Sequence, residues 1–169
     1  VSKGITNGYQ FTFTPQTALK DGSHTITITA SDNDGNAATV VSSTFTIDTV
    51  PPTLTISSPT AGLITNKTAL NVTGKTNDAT SSPITLTMTL NGTSLGTVTV
   101  GSDGSFTKAV TLAEGTNSIV VTAKDGAGQT TSITLSVKLD TTVPELTGIT
   151  LAQNPVSTSA SVAITVEVS

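Results

Sequence analysis

Leu112-Ala113-Glu114-Gly115-Thr116-Asn117-Ser118-Ile119-Val120-Val121-Thr122-Ala123-Lys124-Asp125 repeats, 93 positions later, the stretch Leu19-Lys20-Asp21-Gly22-Ser23-His24-Thr25-Ile26-Thr27-Ile28-Thr29-Ala30-Ser31-Asp32. In both copies a Gly-containing turn leads into a run with apolar residues at every second position, Ile26, Ile28 and Ala30 in the first and Ile119, Val121 and Ala123 in the second, the period-two signature of a half-buried strand. Phe13 over Phe106 and Gly35 over Gly128 keep the same offset. After a one-residue slip, Ile47-Asp48-Thr49 lies over Leu139-Asp140-Thr141, with Pro52 over Pro144 and Leu54 over Leu146. A period of this size is one small domain.

Each Asp-Thr-x-x-Pro, Asp48 to Pro52 and Asp140 to Pro144, stands where one strand pattern stops and the next begins. Proline fixes φ, lacks a donor and pushes the preceding residue to an extended form, so these segments read as short stiff joints. They divide the chain into 1–50, the C-terminal part of one repeat; 51–140, a whole repeat; and 141–169, the opening of a following one. Val1 is not a start methionine and no signal peptide follows it, which reads as a piece of a longer chain.

Within 51–140 the alternation gives seven strands. Leu54 and Ile56 open the first, and Leu70 and Val72 lie on the second. Leu86, Met88 and Leu90 run to the Asn91-Gly92 turn; Leu95, Val98 and Val100 follow; Phe106 and Val110 come after Gly101-Ser102-Asp103-Gly104. Ile119, Val121 and Ala123, then Ile133, Leu135, Val137 and Leu139, complete the set. No stretch has a helical period. The predicted fold is all-β, with tandem two-sheet Greek-key sandwiches of seven strands per repeat and no helix.

Composition agrees. The 169 residues include 38 Thr and 19 Ser, about a third of the chain, and no Cys, Trp or Arg. The β-branched hydroxyl residue is the solvent half of each strand. Without arginine and at a net charge of −4, the chain has no footprint for nucleic acid. No apolar run approaches the ~20 residues of a membrane span, so membrane insertion is not expected. Without cysteine there is neither a disulfide framework nor a thiolate metal site.

Gly22-Ser23-His24-Thr25-Ile26, Ala30-Ser31-Asp32-Asn33-Asp34-Gly35-Asn36 and Phe45-Thr46-Ile47-Asp48-Thr49 are similar to the bacterial immunoglobulin-like repeats of large surface adhesins and secreted multidomain proteins. Glu114 to Asn117 and Lys124 to Gln129 resemble a divergent form of the same repeat. The resemblance implies immunoglobulin-like sandwiches stacked on neighbouring repeats of the same chain. It further implies an extracellular or bacterial cell-surface location and a structural, spacer role. The alternative that it implies is an accessory carbohydrate-binding module of a secreted polysaccharide-degrading enzyme.

Catalysis is not expected. A nucleophilic triad needs a base, and the lone histidine, His24, aligns with Asn117. A position that takes His or Asn reads as a hydrogen bond to the turn backbone. Sugar binding needs exposed aromatic faces. Tyr9, Phe11 and Phe13 alternate and are expected on a core face, and Phe106 is the sole aromatic of 51–140.

The acids carry the remaining expectation. Asp32-Asn33-Asp34-Gly35-Asn36 resembles the start of a calcium loop but lacks its distal glutamate, so a stand-alone calcium loop is not expected and the segment reads first as an Asx-type hairpin turn. In a sandwich of alternating strands, the loop with Asp125 and the loop with Asp78 lie at the pole where the domain begins. There they meet linker Asp48, with Asp21 facing the same joint. Asp21, Asp48, Asp78 and Asp125 are therefore candidate ligands of a shared Ca²⁺, since four carboxylates repel one another without a cation. Glu114 and Asp140 would mark the second joint, and Asp32 and Asp34 a joint to a preceding repeat. Residues 1–50 and 141–169 are also expected to complement one another between molecules, head to tail.

Overall fold

A computed structural model describes residues 2–5, 8–151 and 163–168. The described residues form strands and turns and no helix. Strands β1 (Ser2–Ile5) and β2 (Gly8–Phe11) pair, as do β3 (Gly22–Ile28) and β4 (Val41–Ile47). Eight strands follow: β5 (Thr53–Ser58), β6 (Ile64–Thr65), β7 (Ala69–Asn77), β8 (Thr85–Leu90), β9 (Thr93–Val98), β10 (Ser105–Thr111), β11 (Gly115–Lys124) and β12 (Thr130–Leu139). A last hairpin joins β13 (Leu146–Leu151) to β14 (Ile164–Val168).

β5 to β12 make two sheets, ordered β10-β7-β5 and β6-β12-β11-β8-β9. The chain crosses between them after β5, β6, β7, β9 and β10, in the manner of a Greek-key sandwich. Leu54, Val72, Phe106 and Val110 from the first sheet meet Leu86, Met88, Val98, Ile119, Val121, Leu135, Val137 and Leu139 from the second in one buried cluster. These are the alternating apolar residues, because a pleated strand sends every second side chain to one face. The threonines between them, such as Thr85, Thr87, Thr107 and Thr134, face outward.

The strand count differs from the expected seven. Between β5 and β7 the chain passes to the other sheet, where Gly62 (φ +78°) turns it, and Ile64–Thr65 pairs parallel with Lys138–Leu139. Two residues carry no periodic pattern, so this strand is invisible to an alternation argument. At the Asn91-Gly92 turn both residues have positive φ, +51° and +80°, as a tight hairpin matched to strand twist requires.

In the first unit the side chains of Tyr9 and Phe11 lie outside the described residues. Phe13 lies beyond the end of β2 and is 83% exposed, whereas its offset partner Phe106 is 3% exposed in the core. It borders an open groove with Pro15, Leu19, His24, Ile26 and Phe45. The His24 ring stacks on Phe45 at 5.6 Å. Ile26 and Ile28 are half exposed or more, whereas their offset partners Ile119 and Val121 are fully buried. The groove is thus the counterpart of a core face in the complete sandwich.

Candidate acidic site at the first joint

Asp48, Asp78 and Asp125 follow directly on β4, β7 and β11. The structure brings these three together, one oxygen of each lying within 4.8 Å of the others. Local turn chemistry fixes each carboxylate by one oxygen. Asp48 Oδ1 accepts the Val50 N–H at 3.1 Å. Asp78 Oδ1 accepts the N–H groups of Thr80 at 2.7 Å and Ser81 at 2.8 Å. Asp125 Oδ1 accepts the Gln129 N–H at 2.8 Å. These are Asx-type turns, in which a short acid replaces a missing backbone acceptor.

The second oxygens decide what the cluster can do. Asp48 Oδ2 accepts the Ser81 hydroxyl. Asp125 is 5% exposed, and its Oδ2 is buried with no hydrogen-bond partner. The first copy supplies an internal comparison. Asp32, at the position of Asp125, likewise accepts the N–H of the residue four on, Asn36, at 2.8 Å. There Oδ2 is satisfied by the Asn36 side-chain amide at 2.7 Å. At Asp125 nothing takes that role, and a buried carboxylate oxygen without a partner costs at least ~1–3 kcal/mol. When all three acids are ionised, each pair at this spacing repels by about 3 kcal/mol at an effective dielectric of ~20. Among the described residues the ion pairs are Lys75–Asp103 (3.5 Å) and Lys138–Asp140 (3.1 Å), and neither touches the trio.

The other acids are engaged elsewhere. Asp21 is turned to the linker, accepting the Thr49 N–H at 3.1 Å and its hydroxyl at 3.0 Å. Glu114 repeats this clamp on Thr141, with the hydroxyl at 2.8 Å. Asp140 accepts Thr142 N–H and pairs with Lys138, whose ammonium holds the Asp140 carboxyl below its ordinary range. Asp32 is held low first by the Asn36 side chain. Its Oδ1 also takes the Asp34 N–H, and Asp34 itself is exposed. The Asp103 carboxyl, next to β10, is lowered to about 2, chiefly by the Ser105 hydroxyl.

His24 Nε2 lies 2.7 Å from the Lys20 carbonyl oxygen, so that nitrogen carries the proton. Asn117 Nδ2 donates to the Ala113 carbonyl at 2.7 Å, the same four-residue reach. Sequence reasoning passed over Ser81, one serine among nineteen, whose role depends on the fold of its loop.

Comparison with known proteins adds the following. Residues 52–141 match the family model described as glucodextranase, domain B, and residues 4–49 the model described as bacterial Ig-like domain. Bacillopeptidase F of Bacillus subtilis (strain 168) is 29% identical over 138 residues, 82% of this chain. The chain spans 9% of the length of that curated relative. Among solved structures, the fibronectin(III)-like modules of Clostridium thermocellum CbhA align with a TM-score of 0.46 at 16% identity, over 72% of this chain and 64% of theirs. A tetra-tandem repeat in the extending region of a large adhesion protein aligns with a TM-score of 0.46 at 22% identity, over 88% of this chain and 46% of that one.

Proposed function

Since this chain belongs to the glucodextranase domain B family and carries the bacterial Ig-like fold, we infer that it is a non-catalytic spacer module of a secreted or cell-surface bacterial protein, stacked on neighbouring repeats and stiffened by Ca²⁺ at its joints. The observation that carries this reading is the convergence of Asp48, Asp78 and Asp125, with the buried Oδ2 of Asp125 left without a partner. Ca²⁺ takes six to eight oxygens at roughly 2.3–2.6 Å in flexible geometry. Three carboxylates from a linker and two loops suit it, and it would answer both the unpaired oxygen and the mutual repulsion. Asp21 lies outside this set, and its part is to hold Thr49 beside the site. Asp140 and Glu114 would serve the second joint as Asp48 and Asp21 serve the first. Asp32 and Asp34 would serve a preceding one.

Two observations support a spacer over the alternative, a carbohydrate-binding accessory module. Phe106, the sole aromatic of 51–140, is 3% exposed, which leaves no stacking platform there. Phe13 and Phe45 border the counterpart of a core face. Against catalysis, each acid of the trio is tied to its own loop by a backbone N–H, whereas a general acid or base needs a proton within reach of substrate. The lone His is tied to its turn.

Titrating Ca²⁺ into the metal-free chain is expected to raise its melting temperature. At a hundredfold excess over the dissociation constant the gain is about 2.7 kcal/mol, roughly 10–20 °C for a sandwich of this size. Asp125→Asn should remove the response, and an unshifted wild-type midpoint at millimolar Ca²⁺ would overturn the calcium reading.

We also propose head-to-tail self-association. β13–β14 pairs Leu146 with Val168, the offset counterpart of Leu54 with Thr76 in β5–β7. Leu146, Ile149, Ile164 and Val166 are more than half exposed, as are Ile28 and Val41 of β3–β4. One copy's β13–β14 would cover the other's β3–β4. Sedimentation should show mass rising with concentration, and monomer alone at high concentration would sink the idea.

A further inference from the structure

The bonds that hold the three acids are local to their own loops, with one exception. The Ser81 hydroxyl reaches from the β7–β8 loop to Asp48 Oδ2 on the linker. Through its backbone the same residue touches the other two acidic segments. Its N–H donates to Asp78 Oδ1 at 2.8 Å, and its carbonyl accepts the N–H of Gly126, next to Asp125, at 3.2 Å. Ser81 is therefore the point at which linker, first loop and second loop are joined.

We propose that Ser81 is the positioning residue of the cation site, its hydroxyl fixing the linker carboxylate opposite the other two. This rests on the calcium reading above. Before the cation arrives the hydroxyl satisfies the Asp48 oxygen that would otherwise join Asp125 Oδ2 as a second unpaired anionic acceptor. A carboxylate oxygen has two lone pairs, so the O–H can keep one while a cation would take the other, and Asp48 stays where the bond holds it. The other contacts of Ser81 run through its backbone and survive truncation of the side chain. Ser81→Ala thus removes the crossing bond alone, and Ser81→Thr keeps it.

The test is Tb³⁺ luminescence with Ca²⁺ competition on the whole 169-residue chain as wild type, Ser81→Ala and Ser81→Thr, with melting in EDTA alongside. We expect Ser81→Ala to bind about tenfold more weakly, the worth of one hydrogen bond to a charged acceptor. Ser81→Thr should stay within about threefold of wild type, and in EDTA the Ser81→Ala midpoint should fall by no more than the loss of one hydrogen bond accounts for. If the wild type binds and Ser81→Ala binds as well or better, the hydroxyl does not position Asp48 and the proposal falls while the calcium reading stands. If Ser81→Ala instead loses its melting midpoint in EDTA by more than its cation affinity explains, the role is plain folding and the proposal falls. A wild type that binds neither ion overturns both.

Discussion

Gly74→Ala is expected to cost the sandwich at least about 3 kcal/mol, a large part of the 5–15 kcal/mol that holds a domain of this size together. Gly74 lies mid-strand in β7, the central strand of the three-stranded sheet. It pairs with Phe106 on one side and Ile56 on the other. A methyl group there would sit 2.7 Å from Phe106 Cζ and closer still to the carbonyl oxygen of Thr55. The backbone φ of Gly74 is not in the left-handed region, so the objection is space and not conformation. Neither neighbour can yield: one is sheet backbone, and the other is a core ring 3% exposed. Overpacking of a tight core costs ~1–3 kcal/mol when side chains can shift and more when they cannot. Urea unfolding of the variant should show a much lower midpoint at unchanged slope. Adding Phe106→Leu should recover part of the loss, because it frees the ring contact and leaves the carbonyl contact. A single-variant loss below 1 kcal/mol would refute this account.

Gly74 also marks where sequence stops being legible. Alternation in Leu86-Thr87-Met88-Thr89-Leu90 and Ile133 to Leu139 identifies strands and their inner face, since burial follows the pleat. A glycine in such a strand reads only as a weak position. Its requirement comes from Phe106, thirty-two residues on and brought alongside by β10. The same divide runs through the joint. That Asp48, Asp78 and Asp125 share a pole follows from strand order. What each oxygen does there is set by loop backbone, which no pattern reports: Asp21 is spent on Thr49, Asp32 on Asn36, and Ser81 joins Asp48. The internal repeat was the most useful guide, because it compares one position in two settings, with Asn36 completing Asp32 where no group completes Asp125.

The same comparison yields the second large effect. Asn117→Ala is expected to destabilise the sandwich by about 3 kcal/mol, while His24→Ala, the aligned change, should cost under about 1 kcal/mol. Asn117 has no exposed surface, and its amide uses all four of its hydrogen-bonding positions. Oδ1 accepts from Ala113 N–H at 2.9 Å and from Asn91 Nδ2 at 3.0 Å. Nδ2 donates to the carbonyls of Ala113 at 2.7 Å and Gly115 at 3.0 Å. Asn91 in turn accepts the Ser118 N–H, so one side chain ties the turn before β11 to the β8–β9 hairpin. Truncation strands several polar groups where water has little access, at ~1–3 kcal/mol for each that finds no other partner. His24 stacks on Phe45 at the groove and makes one side-chain hydrogen bond, to Lys20, in a half-exposed place where water can replace it. Asn117→Asp separates shape from chemistry: the isostere keeps both accepting contacts but sets a carboxylate against two carbonyl oxygens. It should therefore be worse than alanine at neutral pH. Burial makes ionisation of that new acid costly, so its deficit should shrink as pH falls and the protonated carboxyl recovers one donor. Urea midpoints of both variants at neutral and acid pH would read this directly, and an Asn117→Asp variant no less stable than Asn117→Ala at neutral pH would show that space filling, not hydrogen bonding, is what the turn requires.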